Sequence, residues 1–492
     1  MREIEGSGQI PEFPNYPRPL KSAVDGTSRR LLIFRAPFFM ERSTKPQLSL
    51  FDLTMIVIGL VIGLGIFRTA SDSARAALTP TIFFTAWLAG GLIALCGALT
   101  YAEIGSRLPV TGGYYKIFAV AYHPSVAFAV NCIILVSNAA SLAGVALIGS
   151  EYLAEAIFTE PPSDTIKAFI AMGSIGLFYV INLLGLRMSS TTQNLLMSVK
   201  IGMVVVLILA LFFPQIHAPV SVAATAPVDH SWTDIVQSFG AALVAVSFTY
   251  GGYQQTINFG GEVRNPRYIL PRGILIGTLI IIGLYLTVSW SYYKVIGFEE
   301  LKTSRGIAAI VAERMFGPAG RYAFSILLFL AVLAYVNVIL LSNPRVMYAM
   351  SEDGILPKIF AKKDEKRDVL TVSLTTYALL SMVMIFFMET FDRILSFTMF
   401  LDCIGMAFSA ATLFILRRRQ KDVLTENTYR MRLYPWLPLL FIAAYGFVAY
   451  SIALNKPVTA LTAVAVLAAF VIIYFVFRRS PKHPAGMPGP NL

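Results

Sequence analysis

The chain has 492 residues, of which 56% are hydrophobic and only 14% charged, and its formal net charge is +12. Soluble domains are about 25% charged, so this composition indicates a protein solvated largely by lipid. The basic residues lie in short loops between apolar runs, which argues against a nucleic-acid partner. The three cysteines (Cys96, Cys132, Cys403) lack paired spacing and the four histidines are scattered, so we predict no disulfide framework, no metal site and no cofactor.

Residues 1–45 form a polar segment rich in Pro, Arg and Lys. The segment lacks a clean apolar core followed by a small-residue cleavage site, so it does not resemble a signal peptide. We predict a disordered cytoplasmic segment. Met40 lies just before the first apolar run and is an alternative start of the chain, and the two interpretations stay open.

Apolar runs follow one another along the rest of the chain. A hydrocarbon core of about 30 Å takes roughly 20 helical residues to cross, so the length leaves room for about twelve spans. These predicted spans lie near residues 51–71, 81–104, 122–150, 166–184, 190–213, 234–259, 270–296, 321–349, 370–388, 393–416, 433–452 and 456–477. Short amphipathic helices are expected within 297–320.

The loops between these runs alternate in charge. Loops such as 107–116, 264–272 and 358–367 are basic, whereas 214–232 contains no Lys or Arg. Because Lys and Arg are retained on the cytoplasmic side, this alternation predicts an even number of spans with both termini in the cytoplasm. The expected location is the plasma (inner) membrane.

Two predicted helices contain residues that interrupt a helix. The first has three glycines within 59–65, and the sixth has the pair Gly251-Gly252 beside polar residues. Each glycine weakens a helix by roughly 1 kcal/mol relative to alanine. Close packing of small residues is the alternative explanation. Interruptions in both the first and the sixth span are typical of a LeuT-like inverted five-plus-five repeat, so we predict an all-α polytopic membrane protein of that architecture.

A pair of broken helices has a particular binding chemistry. Each break leaves N–H groups and carbonyls unpaired beside a cavity. The N–H groups and the positive end of a half-helix favour a carboxylate, while the carbonyls favour an ammonium. The pattern therefore predicts a main-chain site for the α-amino and α-carboxyl groups of an amino acid.

Four segments, in this order, resemble motifs of the amino acid–polyamine–organocation superfamily of permeases. They are residues 62–67; 98–105 with 108–109 and 112–114; 248–253 with 262–266 and 270–272; and 342–345 with 352–357. The similarity spans roughly 48–420, and the Phe-x-Tyr-Gly-Gly-aromatic string is closest to the L-type amino acid transporter branch and its bacterial relatives. Arg68 and Asn343-Pro344 depart from the family pattern.

The resemblance implies a secondary active transporter that moves an L-amino acid by alternating access, either proton-coupled or as an exchanger. It implies a transporter core of ten helices over 46–420, helices 11 and 12 over 421–478, and a cytoplasmic tail over 479–492. Phe248 would act as an aromatic gate. The substrate-binding residues that it implies are Ile62, Gly63, Leu64, Gly65, Ile66, Phe248, Thr249 and Gly251.

Two charged residues, Lys200 and Asp402, lie near the middle of predicted spans rather than near their ends. A charge at membrane depth is costly, so both side chains should face the protein interior. The resemblance implies that Lys200 couples transport to protons or holds the first helix, and a lysine that reaches along its stem to the membrane surface is the alternative. Asp402 is at a position that the family pattern does not assign, and it could accept a proton, pair with a substrate cation or pair with a buried donor.

Other polar residues near or within the spans have simpler expected roles. Glu103 and Arg107 should form gate or packing contacts, and Arg68 and Arg75 should line an outer vestibule. Interhelical hydrogen bonds are expected for the intramembrane amides Asn131, Asn138, Asn182 and Asn337.

The predicted substrate is a neutral amino acid, because no intramembrane acid occurs within 248–255. Asp402 leaves open the alternative that the substrate is a cationic amino acid or a polyamine. A transporter-like nutrient sensor is a further alternative for the function. An enzyme would need clustered catalytic groups, which the spans lack, and a channel would need a continuous polar pore. Expected partners are the amino acid, protons and membrane lipid, and an accessory subunit is left open.

Overall fold

The protein is almost entirely helical. The computed structural model describes residues 48–477 except positions 64, 111, 159, 161, 217–230, 262, 305, 368, 388–390 and 420–427. Within these ranges the extended pairings are two isolated bridges, Leu48 with Val263 and Asp364 with Val369. This confirms the all-α class.

The helices are numbered here in chain order. The described residues form α1 (Leu50–Val61), α2 (Gly65–Ala76), α3 (Pro80–Arg107), α4 (Gly113–Ala121), α5 (Pro124–Ile157), α6 (Asp164–Leu183), α7 (Leu186–Leu209), α8 (Trp232–Tyr250), α9 (Pro266–Ile296), α10 (Phe298–Thr303), α11 (Ile307–Phe316), α12 (Pro318–Glu352), α13 (Thr371–Phe387), α14 (Phe391–Arg419), α15 (Trp436–Asn455) and α16 (Pro457–Phe477). A 3₁₀ segment, Tyr253–Asn258, follows α8.

Most of these helices are long and apolar enough to cross a membrane. In the described ranges ten helices meet that condition, and α1 with α2 form one further span that is bent by 44°. The shorter apolar helix Thr371–Phe386 lies at the ninth predicted run. The protein is therefore a multi-pass membrane protein, while the count of twelve spans and the inverted repeat stay predictions.

Burial separates the centre of the bundle from its edge. The apolar window of α5 is 83% buried within the protein, whereas that of α16 is 11% buried. The long central helix α5 packs against α12 and α14, and α3 packs against α9. A helix that is apolar on all sides can be buried in protein or face lipid. The difference in burial therefore indicates that α5 belongs to the core of the bundle and that α16 faces lipid.

The first and sixth spans begin in the same way. Ser49 and Asp52 form a capping box at the start of α1, and Ser231 and Asp234 form one at the start of α8. In each box the serine and the acid satisfy backbone N–H groups that the first helical turn leaves without partners. Both spans thus start with a fixed end and break further along.

Two connecting regions contain short helices. The segment 297–320 holds α10 and α11, as predicted, and Ile307, Ala308 and Val311 bury one side of α11. The helix α4 was not predicted, because its nine residues are too few for a hydropathy signal to separate them from the next span. It begins after Gly112, whose φ of 67° lies in the left-handed region that glycine adopts without strain.

Candidate functional site

The first break separates α1 from α2. The N–H of Ile62 still donates to Ile58 O at 2.8 Å, and the N–H of Gly63 donates to Val61 O at 2.6 Å. Side chains from other helices then satisfy the carbonyls at the end of α1. Tyr285 Oη donates to Val61 O at 2.8 Å, and Lys200 Nζ donates to Ile62 O at 2.8 Å. Two buried side chains thus stabilise the break through hydrogen bonds to the main chain.

The second break separates α8 from the 3₁₀ segment. Gly251 is extended, and Gly252 has a φ of 119°, a conformation that strains any residue with a Cβ atom. The N–H of Gly252 donates to the side-chain oxygen of Gln254 at 2.9 Å. Glycine is also required sterically, because a Cβ at position 252 would press against the carbonyl of Leu60.

The two breaks lie against each other. A Cβ added to Gly65 would lie 2.9 Å from Thr249 Cα, so the start of α2 touches the last turn of α8. The hydroxyls of Thr69 and Thr249 form a hydrogen bond across this contact. Each hydroxyl also lies within hydrogen-bond distance of a carbonyl of its own helix, Thr69 of Gly65 at 2.7 Å and Thr249 of Ala245 at 2.8 Å. Because a hydroxyl has one proton, one of the two donates to its carbonyl and the other donates across the contact.

The structure therefore brings the predicted binding residues together in two adjoining segments. Ile62, Ile66 and Thr249 are buried, whereas Gly63, Phe248 and Gly251 are half-buried. Leu64 lies outside the described residues. The break that the glycines predict in each span is confirmed, and the roles of these residues toward a substrate stay predictions.

Lys200 lies inside the bundle. Its side chain is 1% exposed, and its Nζ reaches the carbonyl of Ile62 rather than the membrane surface. The interpretation in which Lys200 extends to the lipid headgroups is therefore wrong. Both remaining roles, proton coupling and holding the first helix, are compatible with this position.

A polar cavity lies next to the breaks, between α5, the 3₁₀ segment, α12 and α14. Its lining includes Asp402 together with the amides of Asn131, Asn138, Gln254, Gln255, Asn258 and Asn343. Asp402 is half-buried, and Ser137 Oγ donates to its Oδ1 at 2.7 Å. The cavity thus gathers side chains from parts of the sequence that no single motif joins.

The expected interhelical amide bonds form at three of four positions. Asn182 Nδ2 donates to Asn337 Oδ1 at 2.9 Å between α6 and α12, and Asn138 Nδ2 donates to Asn343 Oδ1 at 2.8 Å between α5 and α12. The expectation is wrong for Asn131, whose Nδ2 donates at 2.7 Å to the carbonyl of Ala127 in its own helix.

Glu103 and Arg107 belong to a separate cluster. Glu103 is fully buried and contacts Arg107 at 2.7 Å and Arg417 at 2.6 Å. The contact with Arg417 joins α3 to α14.

The two arginines of α2 differ in exposure. Arg68 is 8% exposed and lies 4.0 Å from Glu151 of α5, whereas Arg75 is exposed and donates to the carbonyl of Lys302. Buried Arg68 therefore differs from the open vestibule residue that the sequence suggested.

Three residues near the breaks were missed from the sequence. Tyr285 holds the end of α1, and Tyr335 lies 3.7 Å from the position of a Cβ on Gly63. Ser141 and Tyr335 join their hydroxyls at 2.8 Å. Each residue places a hydroxyl inside a predicted span, and this was the feature of the sequence that could have identified it. Hydroxyls are common in membrane helices, however, and do not by themselves identify a site.

The bundle consists of apolar helices, and two of its spans are interrupted at points that contact each other. These features define a multi-pass membrane protein of the transporter class. The sequence profile of the amino acid permease family matches residues 48–478. The chain belongs to this family, which confirms the resemblance to the amino acid–polyamine–organocation superfamily.

Three relatives show the range of similar proteins. The serine/threonine exchanger SteT of Bacillus subtilis is 27% identical over 83% of this chain and 91% of its own length. The branched-chain amino acid permease BcaP of the same organism is 26% identical over 90% and 95%. The b(0,+)-type amino acid transporter 1 of Mus musculus is 24% identical over 88% of both chains.

Proposed function

We propose that this protein is a secondary active transporter that moves an L-α-amino acid across the plasma (inner) membrane by alternating access, with both termini cytoplasmic. The observation that supports this most directly is the contact between the two helix breaks. Gly252 abuts Leu60, and Gly65 abuts Thr249, so the main-chain groups of both breaks lie in one place. Relatives that are named for amino acid exchange or permeation agree with it.

The main chain at the breaks suits the common part of an amino acid. The first turn of α2, beginning at Gly65 and Ile66, presents N–H groups at the positive end of a half-helix, which suits a carboxylate. A carbonyl oxygen has two lone pairs, so a carbonyl at the end of α1 or α8 that accepts from one protein donor can also accept from an ammonium. Phe248 is half-buried beside the second break and would close over the substrate as an aromatic gate.

Movement between the two access states would centre on the breaks. Gly252 lacks a Cβ, so the backbone between α8 and the 3₁₀ segment can reorient over a wider range of conformations than another residue would allow. Lys200 would hold the end of α1 through the carbonyl of Ile62, so that a shift of the first helix makes or breaks this hydrogen bond. If transport is driven by protons, the same amine is the group that would exchange one.

Counterflow in proteoliposomes tests the proposal. Purified protein, loaded in turn with individual unlabelled L-amino acids, should accumulate the matching labelled amino acid transiently and saturably, with and without a pH gradient. Lys200→Ala should lose uptake or its dependence on the gradient. Lys294→Ala is the matched control, because Lys294 lies over the ring of Trp290 at the end of α9.

The outcomes separate the claims. Wild-type protein without counterflow of any amino acid refutes the transporter proposal, and binding without counterflow would indicate a sensor instead. Wild-type uptake with wild-type pH dependence in Lys200→Ala refutes the role of Lys200 alone.

A further inference from the structure

The polar cavity beside the breaks is rich in hydrogen-bond acceptors. Asp402 contributes a carboxylate from the interior of α14. Among the described residues Asp402 has one donor, the hydroxyl of Ser137 at 2.7 Å, and no ion-pair partner. An intramembrane carboxylate is costly unless a cation or several donors compensate it. Its surroundings leave that compensation incomplete.

Asn131 supplies a second acceptor that lacks a partner. This residue lines the same cavity and is 0% exposed. Its Nδ2 donates to the carbonyl of Ala127, which fixes the orientation of the amide because a carbonyl can only accept. The Oδ1 of Asn131 is buried without a hydrogen-bond partner among the described residues. A buried acceptor that is left unpaired costs about 1–3 kcal/mol.

Contacts connect this cavity to the first helix break. Tyr335 lies beside Gly63 and bonds to Ser141 of α5. Ser141 and Ser137 are four residues apart on α5, which places them on one face about one helical turn apart, ~6 Å along the axis. Ser137 bonds to Asp402. The carboxylate is therefore linked to the first break through Ser137, Ser141 and Tyr335. Gln254, which accepts from the N–H of Gly252 at the second break, lines the same cavity as Asp402.

We infer that Asp402 and Asn131 form the subsite for a cationic side chain, so that the substrates include basic L-amino acids such as lysine and arginine. The inference rests on the proposed function, in which the helix breaks bind the α-amino and α-carboxyl groups. An ammonium or guanidinium group supplies several donors and no acceptor, which matches a carboxylate with one donor and an amide oxygen with none. The inference favours the cationic substrate, which the sequence left open, over the neutral one.

Two ligands of similar shape test the inference on the wild-type protein. L-lysine and L-norleucine differ in the terminal amine, so the subsite predicts at least about 10-fold tighter binding of L-lysine, about 1.4 kcal/mol. Binding is measured by competition against the labelled amino acid that gives the strongest counterflow. Equal affinity for the two ligands would overturn the inference, and this comparison needs no variant to fold.

The variant Asp402→Asn then assigns the effect to the carboxylate. It should lower the affinity for L-lysine and L-arginine at least about 10-fold and change the affinity for L-norleucine little. Asp364→Asn is the matched control, because Asp364 lies in the loop before α13 and accepts hydrogen bonds from the N–H groups of Lys366 and Arg367. Asp402→Glu should recover part of the affinity for L-lysine.

The results distinguish this inference from the proposed function. Counterflow of neutral amino acids only, unchanged by Asp402→Asn, overturns the cationic subsite and leaves amino acid transport intact. Basic amino acid transport that survives Asp402→Asn overturns the role of Asp402. A protein that neither binds nor exchanges any amino acid overturns the proposed function itself.

Discussion

Two carboxylates inside the bundle, that of buried Glu103 and that of half-buried Asp402, have opposite surroundings. Glu103 accepts hydrogen bonds from Arg107 and from Arg417, each at 2.8 Å through Nε, and from the N–H of Met431 at 3.0 Å. Asp402 accepts one hydrogen bond, from Ser137. The Glu103 carboxylate has its hydrogen-bond partners within the protein, whereas the Asp402 carboxylate can accept further hydrogen bonds from a ligand that binds and dissociates.

The same contrast holds for the regions around them. The cluster around Glu103 ties the end of α3 to the end of α14 and to the segment that contains Met431. The region around Asp402 adjoins a cavity and two helix breaks, where the backbone has left its regular bonding. A fully partnered charge fixes a structure, whereas an incompletely partnered charge next to a cavity is suited to binding.

The largest expected effect is on the partnered charge. Glu103→Gln removes the negative charge between Arg107 and Arg417 and leaves both guanidinium groups without an acid, which should destabilise the protein by about 3–5 kcal/mol. Thermal unfolding in detergent should show a large fall in apparent Tm. Glu365→Gln, at an exposed turn, is the control and should leave the Tm unchanged. A wild-type Tm in Glu103→Gln would show that this cluster does not anchor the bundle.

The second effect concerns the break in the sixth span. Gly252→Ala places a Cβ against the carbonyl of Leu60 at a backbone φ of 119°, a strain of about 1–3 kcal/mol. Because the two breaks must then separate, counterflow should fall at least about 10-fold even in protein that folds. The control is Gly173→Ala in α6, where a Cβ meets nothing within 4 Å. Wild-type counterflow in Gly252→Ala would contradict a functional contact between the breaks.

The sequence predicts the fold well where the physical signal is local. The run 456–477 corresponds to α16 and 270–296 to α9, since an apolar stretch of membrane length must be helical to satisfy its backbone. The helix ends are less accurate. The third run ends at 150, but α5 continues to Ile157, because hydropathy reports the apolar stretch and the helix extends beyond it through polar residues.

The features of the candidate site that depend on local sequence were likewise predictable, and those that depend on distant helices were not. The breaks are predictable, because Gly63, Gly65 and Gly252 weaken a helix at their own positions. The partner of Lys200 is a carbonyl 138 residues away, and only the packing of α7 against the first span reveals it. The setting of Asp402 likewise depends on helices that are distant in sequence, so the sequence left its role open among a proton acceptor, a partner for a substrate cation and a partner for a buried donor.

A smaller effect is expected at the side chain that holds the end of α1. Tyr285→Phe removes one of the two donors to Val61 O and leaves that carbonyl with the N–H of Gly63 alone, which should cost about 1 kcal/mol. The apparent Tm should fall modestly, and counterflow should slow if the first helix must be held for transport. Tyr322→Phe is the control, because Tyr322 is 55% exposed on α12. Equal effects of the two substitutions would show that the Tyr285 hydroxyl does not hold the break.

The smallest effect on stability is expected at Asp402, and it is the sharpest test of the contrast with Glu103. Asp402→Asn leaves no charge unpaired, because the carboxylate has no cation partner among the described residues, and the amide oxygen can still accept from Ser137. The free energy of unfolding should fall by no more than about 0.5 kcal/mol, measured beside Glu103→Gln in the same detergent. A loss as large as that of Glu103→Gln would mean that Asp402 has a structural partner, and the distinction between a fixed and an available carboxylate would fail. A wild-type Tm combined with weaker L-lysine binding is the result expected of a group whose partner is the substrate.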